Sequence, residues 1–277
     1  TFRLIVMRYF ISAGEASGDL HASCLIRSLR QHDTDASFTF LGGDLMAAEA
    51  GTEPVVHYRD MAFMGFVDVV LNLRKVLGNL AAAKKALRDS GADCLILVDY
   101  PSFNLKLAEY AVSKLKIPVY YYISPKVWAW KEYRVKSIRR LVRRMFSILP
   151  FEVDFYRRHN YEISYVGNPS VNEVDAKLAA LPGRVQFLAD NGLDGRPVIA
   201  LLPGSRVSEI KTNLKLMVEA ASRFERFQPV IAAAPGVDKS VYDTVAPGVK
   251  RVVGQTFELV AMADAALVTS GTATLET

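Results

Sequence analysis

Along the chain, short apolar runs alternate with longer stretches of mixed polarity, and many of the runs stop at glycine-containing turns. Arg8–Ala13 reads as a buried strand, followed by a glycine turn and a helix that runs to about Gln31. Residues 38–41 form a second strand ending in Gly42-Gly43. Residues 66–80 read as an unusually apolar helix, and Cys94–Val98 has the unbroken apolar run of a strand buried on both faces. A helix over 105–114, a strand over 119–123, a basic helix over 131–146 and short strands over 147–149 and 163–166 complete this half. Gly167-Asn168-Pro169 looks like a boundary, because a new series begins there. Its strands lie at Val198–Leu202, 230–233, 251–253 and 266–269, with helices near 209–225, 238–245 and 256–263. Strand–helix alternation of this kind predicts an α/β fold with helices on both faces of parallel sheets. We expect two Rossmann-like domains, 1–167 and 168–277, facing a cleft between their strand C-termini. Thr277 falls in the first turn of a helix that should cover the second sheet, so the second domain is expected to be truncated.

Composition adds bounds. A chain of 277 residues, 51% of them hydrophobic, can bury one large core or two smaller ones. Cys24 and Cys94 both lie in apolar runs and are expected to be buried, reduced thiols. The four histidines show no ligand spacing, so neither metal nor cofactor is expected. No stretch reaches transmembrane length and the start is too short for a signal peptide, so a cytosolic location is expected. Charge is lopsided. Residues 1–150 carry 21 Lys and Arg against 14 Asp and Glu, whereas residues 151–277 carry 13 against 15. The first half therefore favours an anionic partner: a phosphorylated substrate, a membrane surface or nucleic acid.

Two turns in the second half carry the clearest chemistry. Leu201-Leu202-Pro203-Gly204-Ser205-Arg206 and Thr269-Ser270-Gly271-Thr272-Ala273-Thr274-Leu275-Glu276 each run from a strand through a glycine turn into a helix. Unpaired backbone N–H groups at such turns favour phosphate. Arg206 adds positive charge, and Glu276 is placed to accept from sugar hydroxyls. Together they suggest a nucleotide-diphosphate site formed by Gly204, Ser205, Arg206, Ser270, Gly271, Thr272 and Glu276. In the first half, Ser12–Asp19 also follows a strand with a glycine turn but lacks the Lys-Ser/Thr of a P-loop. It is either a tight turn capped by Ser17 or Asp19 or, as its expected place at the cleft favours, a substrate-facing loop. Asp99 ends a strand at the same expected cleft. Spacing alone favours a turn or N-cap aspartate; the alternative is a base that takes a proton from an attacking hydroxyl.

The helix over 66–80 is apolar around most of its circumference. Phe66, Val69, Val70, Leu73, Val76 and Leu77 share one stripe, which is expected to face a bilayer, with Arg74 and Lys75 at the headgroups. A second stripe, including Val67, Leu71 and Leu80, is left for the core; a wholly internal helix is the competing reading. The basic helix over 131–146 is either solvated or an electrostatic contact for anionic lipid. Trp128 and Trp130 sit in a loop as core anchors or as the lining of an apolar acceptor pocket.

Taken together, Ile11–Ala22, Met64–Val69, Asp99–Asn104, Ser124–Trp130, Leu149–Glu152, Leu201–Arg206 and Ala263–Glu276 resemble the lipid-A-disaccharide synthases, glycosyltransferases of the GT-B type. The resemblance implies transfer from UDP-2,3-diacylglucosamine to 2,3-diacylglucosamine 1-phosphate, giving the β-1′,6-linked disaccharide 1-phosphate and UDP without a metal, at the cytoplasmic face of the Gram-negative inner membrane. It implies Asp99 as the base for the acceptor 6-hydroxyl, and Arg206 as the neutraliser of the donor diphosphate. Ser270–Thr272 and Glu276 would hold phosphate and ribose, and the turn carrying Gly14, Glu15, Ser17, Gly18 and Asp19 would face the acceptor. Some members have a second aspartate where this chain has Ser102, and members run on past Thr277. The family start matches Met7. A UDP-sugar epimerase of the same fold and a basic nucleic-acid-binding protein are the competing readings. The second lacks an aromatic-interleaved basic face, and no nucleic-acid partner is expected.

Overall fold

The computed structural model describes residues 6–61, 73–169, 171, 174, 178–269 and 274. The chain divides into two compact units, Thr1–Pro169 and Ser170–Thr277.

The first unit is built on a seven-stranded sheet: β1 (Arg8–Ala13), β2 (Ser37–Gly42), β3 (Val56–His57), β4 (Cys94–Val98), β5 (Val119–Tyr122), β6 (Arg144–Ser147) and β7 (Ser164–Tyr165). Every pairing is parallel and the spatial order is β3-β2-β1-β4-β5-β6-β7. The order reverses between β1 and β4. Ligands of open α/β sheets bind beyond the strand C-termini at such a switch point. All five residues of β4 are buried, as a strand covered on both faces requires. Alternate residues feed opposite layers. Phe10, Leu95 and Leu97 join one core with Leu80, Ala83 and Leu87, whereas Ile11, Ile96 and Val98 join another with Ala22 and Ile26.

The second unit repeats the plan on four parallel strands, β8 (Val198–Leu202), β9 (Gln228–Ala233), β10 (Lys250–Val253) and β11 (Ala265–Val268), in the order β10-β9-β8-β11. Its switch point lies between β8 and β11, and the Pro203–Arg206 turn emerges there from β8.

Several elements differ from the sequence reading. The basic helix is only seven residues long, Val135–Leu141, because Val142 turns extended. Residues 144–147 then become β6, with Met145 and Ser147 buried and Arg144 exposed. Val135, Ile138, Val142 and Met145 follow helical spacing in the sequence, but Met145 belongs to the inner face of a strand. The helices Asp44–Ala50, Phe151–Arg158 and Arg184–Asp190 and the strand β3 escaped the pattern because each is short. Cys24 is exposed while Cys94 is buried. Ala22, Ser23 and Ile26 hold the inner face of the helix Ala16–His32, which leaves position 24 outside. No described helix is long and apolar enough to cross a membrane.

Candidate functional site

At the first switch point, β1 runs into Gly14 and β4 into Asp99 and Tyr100. Gly14 is required by contact. A Cβ there would lie 2.3 Å from Tyr100 Cδ1, so the ring of Tyr100 covers the turn. Gly18 lets the helix Ala16–His32 approach β1, since a Cβ would stand 3.3 Å from the Cβ of Ala13. Asp99 and Tyr100 both have left-handed backbone, with φ of +40° and +47°. For side chains of this size each such residue costs about 1–3 kcal/mol and persists only where the surroundings over-determine it. Here they do. Tyr121 Oη donates to the Asp99 carbonyl at 2.6 Å, and Asn104 Nδ2 donates to the same oxygen at 2.7 Å. Tyr100 Oη donates to the Met61 carbonyl at 2.7 Å.

The Asp99 side chain is half-buried at this strand end. Burial lifts its carboxyl above the usual range, the nearby Glu15 charge lifts it further, and Lys126 opposes both. A carboxylate held up in this way is a better proton acceptor than an ordinary aspartate. Ser102, one turn on, accepts from Arg134 Nη2 at 2.9 Å, which puts a cation one turn beyond Asp99.

Of the other residues expected to face an acceptor, Glu15 and Ser17 are exposed. Asp19 has a different task. It is only 3% exposed and turns away from the strand end. Its Oδ1 accepts from the N–H groups of Gly43 at 2.7 Å and Met46 at 3.2 Å, and its Oδ2 from Leu45 at 3.1 Å. Asp19 thus caps the helix Asp44–Ala50 from a distance in sequence and leaves no oxygen for a ligand.

The tryptophans also part company with the core-anchor reading. Trp130 is 70% exposed, with Lys131 Nζ 3.8 Å from its ring centre. Trp128 Nε1 donates to the buried Glu152 at 2.9 Å, and Ser147 Oγ holds the other Glu152 oxygen. Burial raises the Glu152 carboxyl.

At the second switch point the Pro203–Arg206 turn has the expected form but not the expected vacancy. Gly204 has φ of +109°, and a Cβ there would lie 2.5 Å from Glu209 Oε2. That oxygen accepts from the N–H groups of Ser205 at 3.2 Å and Arg206 at 3.3 Å, while Arg206 Nη1 lies 2.5 Å from Glu209 Oε1. The two N–H groups read from sequence as unpaired are therefore held by a carboxylate of the chain itself. Pairing with Arg206 keeps that carboxyl below its ordinary value. Glu209 lies three residues after Arg206, the spacing of a capping box. Asn213 Nδ2 ties this turn to the end of β11, at 3.3 Å from the Pro203 carbonyl and 3.1 Å from Thr269 Oγ1. Ser270, Gly271, Thr272 and Glu276 lie outside the described residues, as do Phe66, Val69 and Val70. The helix is described over Leu73–Asp89. On it Leu77 is 51% exposed, Val76 is half-buried and Leu80 is buried.

Two parallel sheets, each with a glycine turn at its switch point, give the GT-B type of fold. The fold matches the UDP-GlcNAc 2-epimerase of Neisseria meningitidis bound to UDP-GlcNAc, with a TM-score of 0.65 at 14% identity over 96% of this chain and 78% of that one. It also matches the calicheamicin glycosyltransferase CalG4, with a TM-score of 0.58 at 16% identity over 98% and 77%. At these identities the likeness is one of fold, and it does not favour epimerase over transferase. Sequence decides between them. The family described as lipid-A-disaccharide synthetase matches residues 9–277. The lipid-A-disaccharide synthase of Myxococcus xanthus is 41% identical over 97% of this chain and 71% of its own length, and that of Syntrophus aciditrophicus 41% over 96% and 71%. The chain belongs to the lipid-A-disaccharide synthase family and is a hexosyltransferase.

Proposed function

We propose that this chain joins UDP-2,3-diacylglucosamine to 2,3-diacylglucosamine 1-phosphate, with inversion, and that Asp99 is the general base. The observation that carries the reading is a carboxylate at a parallel-sheet switch point whose affinity for protons is raised by burial and by Glu15. Asp99 takes the proton of the acceptor 6-hydroxyl as its oxygen attacks the anomeric carbon of the donor. The glycosidic C–O bond to the diphosphate breaks and UDP leaves. Arg206 and the turn at Gly204–Ser205 stabilise the charge that develops on the leaving diphosphate, a preorganised electrostatic term of the kind that contributes most in many enzymes. Ser270, Gly271, Thr272 and Glu276 complete the donor side, and the Gly14–Gly18 turn with Glu15 and Ser17 faces the acceptor.

Acylated substrates are met in a bilayer, so the enzyme works as a peripheral protein at the cytoplasmic face of the inner membrane. The apolar stripe of Phe66, Val69, Val70, Leu73, Val76 and Leu77 is the proposed contact. Leu77, with half its surface exposed on a helix that buries Leu80, Ala83 and Leu87, supports it.

The test is the rate of UDP release from the full chain with acylated acceptor. Asp99→Asn is expected to lower turnover at least about a hundredfold, the scale of losing a general base. Because the raised carboxyl must be ionised to act, activity should fall on the acid side at a pH above the usual aspartate range. Near-normal turnover of folded Asp99→Asn would reject the base assignment.

A further inference from the structure

We infer that Asn104 and Tyr121 are positioning residues for Asp99, fixing through its carbonyl the direction in which its side chain leaves the strand end. The inference rests on the reading of Asp99 as base. Nothing local requires left-handed backbone at Asp99 and Tyr100. Neither is glycine, and tyrosine has no preference for that region. The constraint comes from elsewhere in the fold.

Asn104 stands in the first turns of the helix Pro101–Tyr110 and is fully buried. Its Oδ1 accepts from Ser12 Oγ at 2.7 Å. Its Nδ2 faces the carbonyls of Asp99 at 2.7 Å, Val98 at 3.2 Å and Ser12 at 3.3 Å. One amide therefore bridges β1 and β4 at the point where the strand order reverses. Tyr121, on β5 opposite Leu97 and also fully buried, brings a second donor to the Asp99 carbonyl. A carbonyl oxygen has two lone pairs, and both are taken. Turning the Asp99–Tyr100 peptide into an ordinary conformation would swing this oxygen away, taking the acceptor from the buried Tyr121 hydroxyl and leaving Asn104 Nδ2 only its longer bonds to Val98 and Ser12, which the protein interior disfavours. The Ser12 hydroxyl fixes which way the amide points. The left-handed pair is thus set by three side chains from two strands and a helix, and none of them needs to touch substrate.

The experiment is a double-mutant cycle in the full chain, reading kcat, KM for the UDP-sugar and the pH profile. Asn104→Ala is expected to lower kcat by about tenfold to a hundredfold, since misplacing a reacting group by an ångström costs on that scale, with KM changed by less than about twofold. The loosened Asp99 becomes better solvated, so the acid limb should move down towards the ordinary carboxylate range by about half a pH unit or more. In the Asp99→Asn background, Asn104→Ala should cost less than about twofold further, because the group it positions is gone. Tyr121→Phe removes one donor without opening a large cavity; it should act in the same direction by a smaller factor, and it carries the cycle if Asn104→Ala does not fold. Equal losses in both backgrounds, or an unmoved acid limb, would show a merely structural role and overturn this inference alone. Near-normal turnover of Asp99→Asn would overturn the base reading and the inference with it.

Discussion

Replacing Asp19 by alanine separates two readings of the same residue. As an acceptor ligand its loss would weaken substrate binding and spare stability. As the cap of the helix Asp44–Ala50 its loss strikes the fold. The magnitude follows from the hydrogen bonds. Gly43 and Met46 donate to Asp19 in buried surroundings and Leu45 does so partly exposed. Losing an N-cap costs about 0.5–2 kcal/mol, and each buried donor left without an acceptor costs about 1–3 kcal/mol. Water entering beside Leu45 and relief from burying a carboxylate offset part of this, leaving about 2–4 kcal/mol. For a unit of this size that is a fall in melting temperature of about 4–16 °C. Asp19→Asn keeps one acceptor oxygen and should lose about half as much. Urea unfolding followed by tryptophan fluorescence reads the first unit directly, because Trp128 and Trp130 both belong to it. KM for the acceptor should be unchanged at temperatures where the variant is folded. A stability loss below about 0.5 kcal/mol together with a raised acceptor KM would refute the cap and restore the ligand reading.

Two further expectations concern the donor and the membrane. Arg206→Ala should weaken UDP binding by about 1.5–3 kcal/mol, the loss of a charge-assisted bond; unchanged affinity by calorimetry would remove Arg206 from the phosphate site. Leu77→Ser should reduce co-sedimentation with anionic liposomes while stability stays within about 0.5 kcal/mol, as for an exposed position; unchanged liposome binding would take Leu77 out of the membrane contact.

Much of the frame was legible because parallel strands buried on both faces read as unbroken apolar runs. Cys94–Val98 and Val198–Leu202 are such runs, and their ends located both switch points. The basic stretch over 131–146 misled because a spacing of three and four residues continued by chance from a helix into a strand, where Met145 is buried by alternation instead. In the site, Asp99, Gly14 and Arg206 could be picked out by residue type and position. The residues that hold them could not. Asn104 and Tyr121 act on a backbone carbonyl, and Asp19 caps a helix that starts 25 positions further on. Asn104 is close in sequence but its role shows only in the fold, and Tyr121 and Asp19 meet their partners only after folding.

The carboxylate of Glu209 gives the Pro203–Arg206 turn an anion of its own. On the donor reading, a diphosphate does not enter an empty cradle but exchanges with a tethered rival. That rival is present at the high effective concentration of any intramolecular group. Observed affinity is then a difference between two anions for the same donors, and a weak monoanion from solution gains little by competing. Product release profits from the same arrangement. As UDP begins to leave, the carboxylate four residues away refills its place, so the turn need never expose bare N–H groups and guanidinium together. An enzyme that must discharge UDP on every turnover is served by a site that closes on itself.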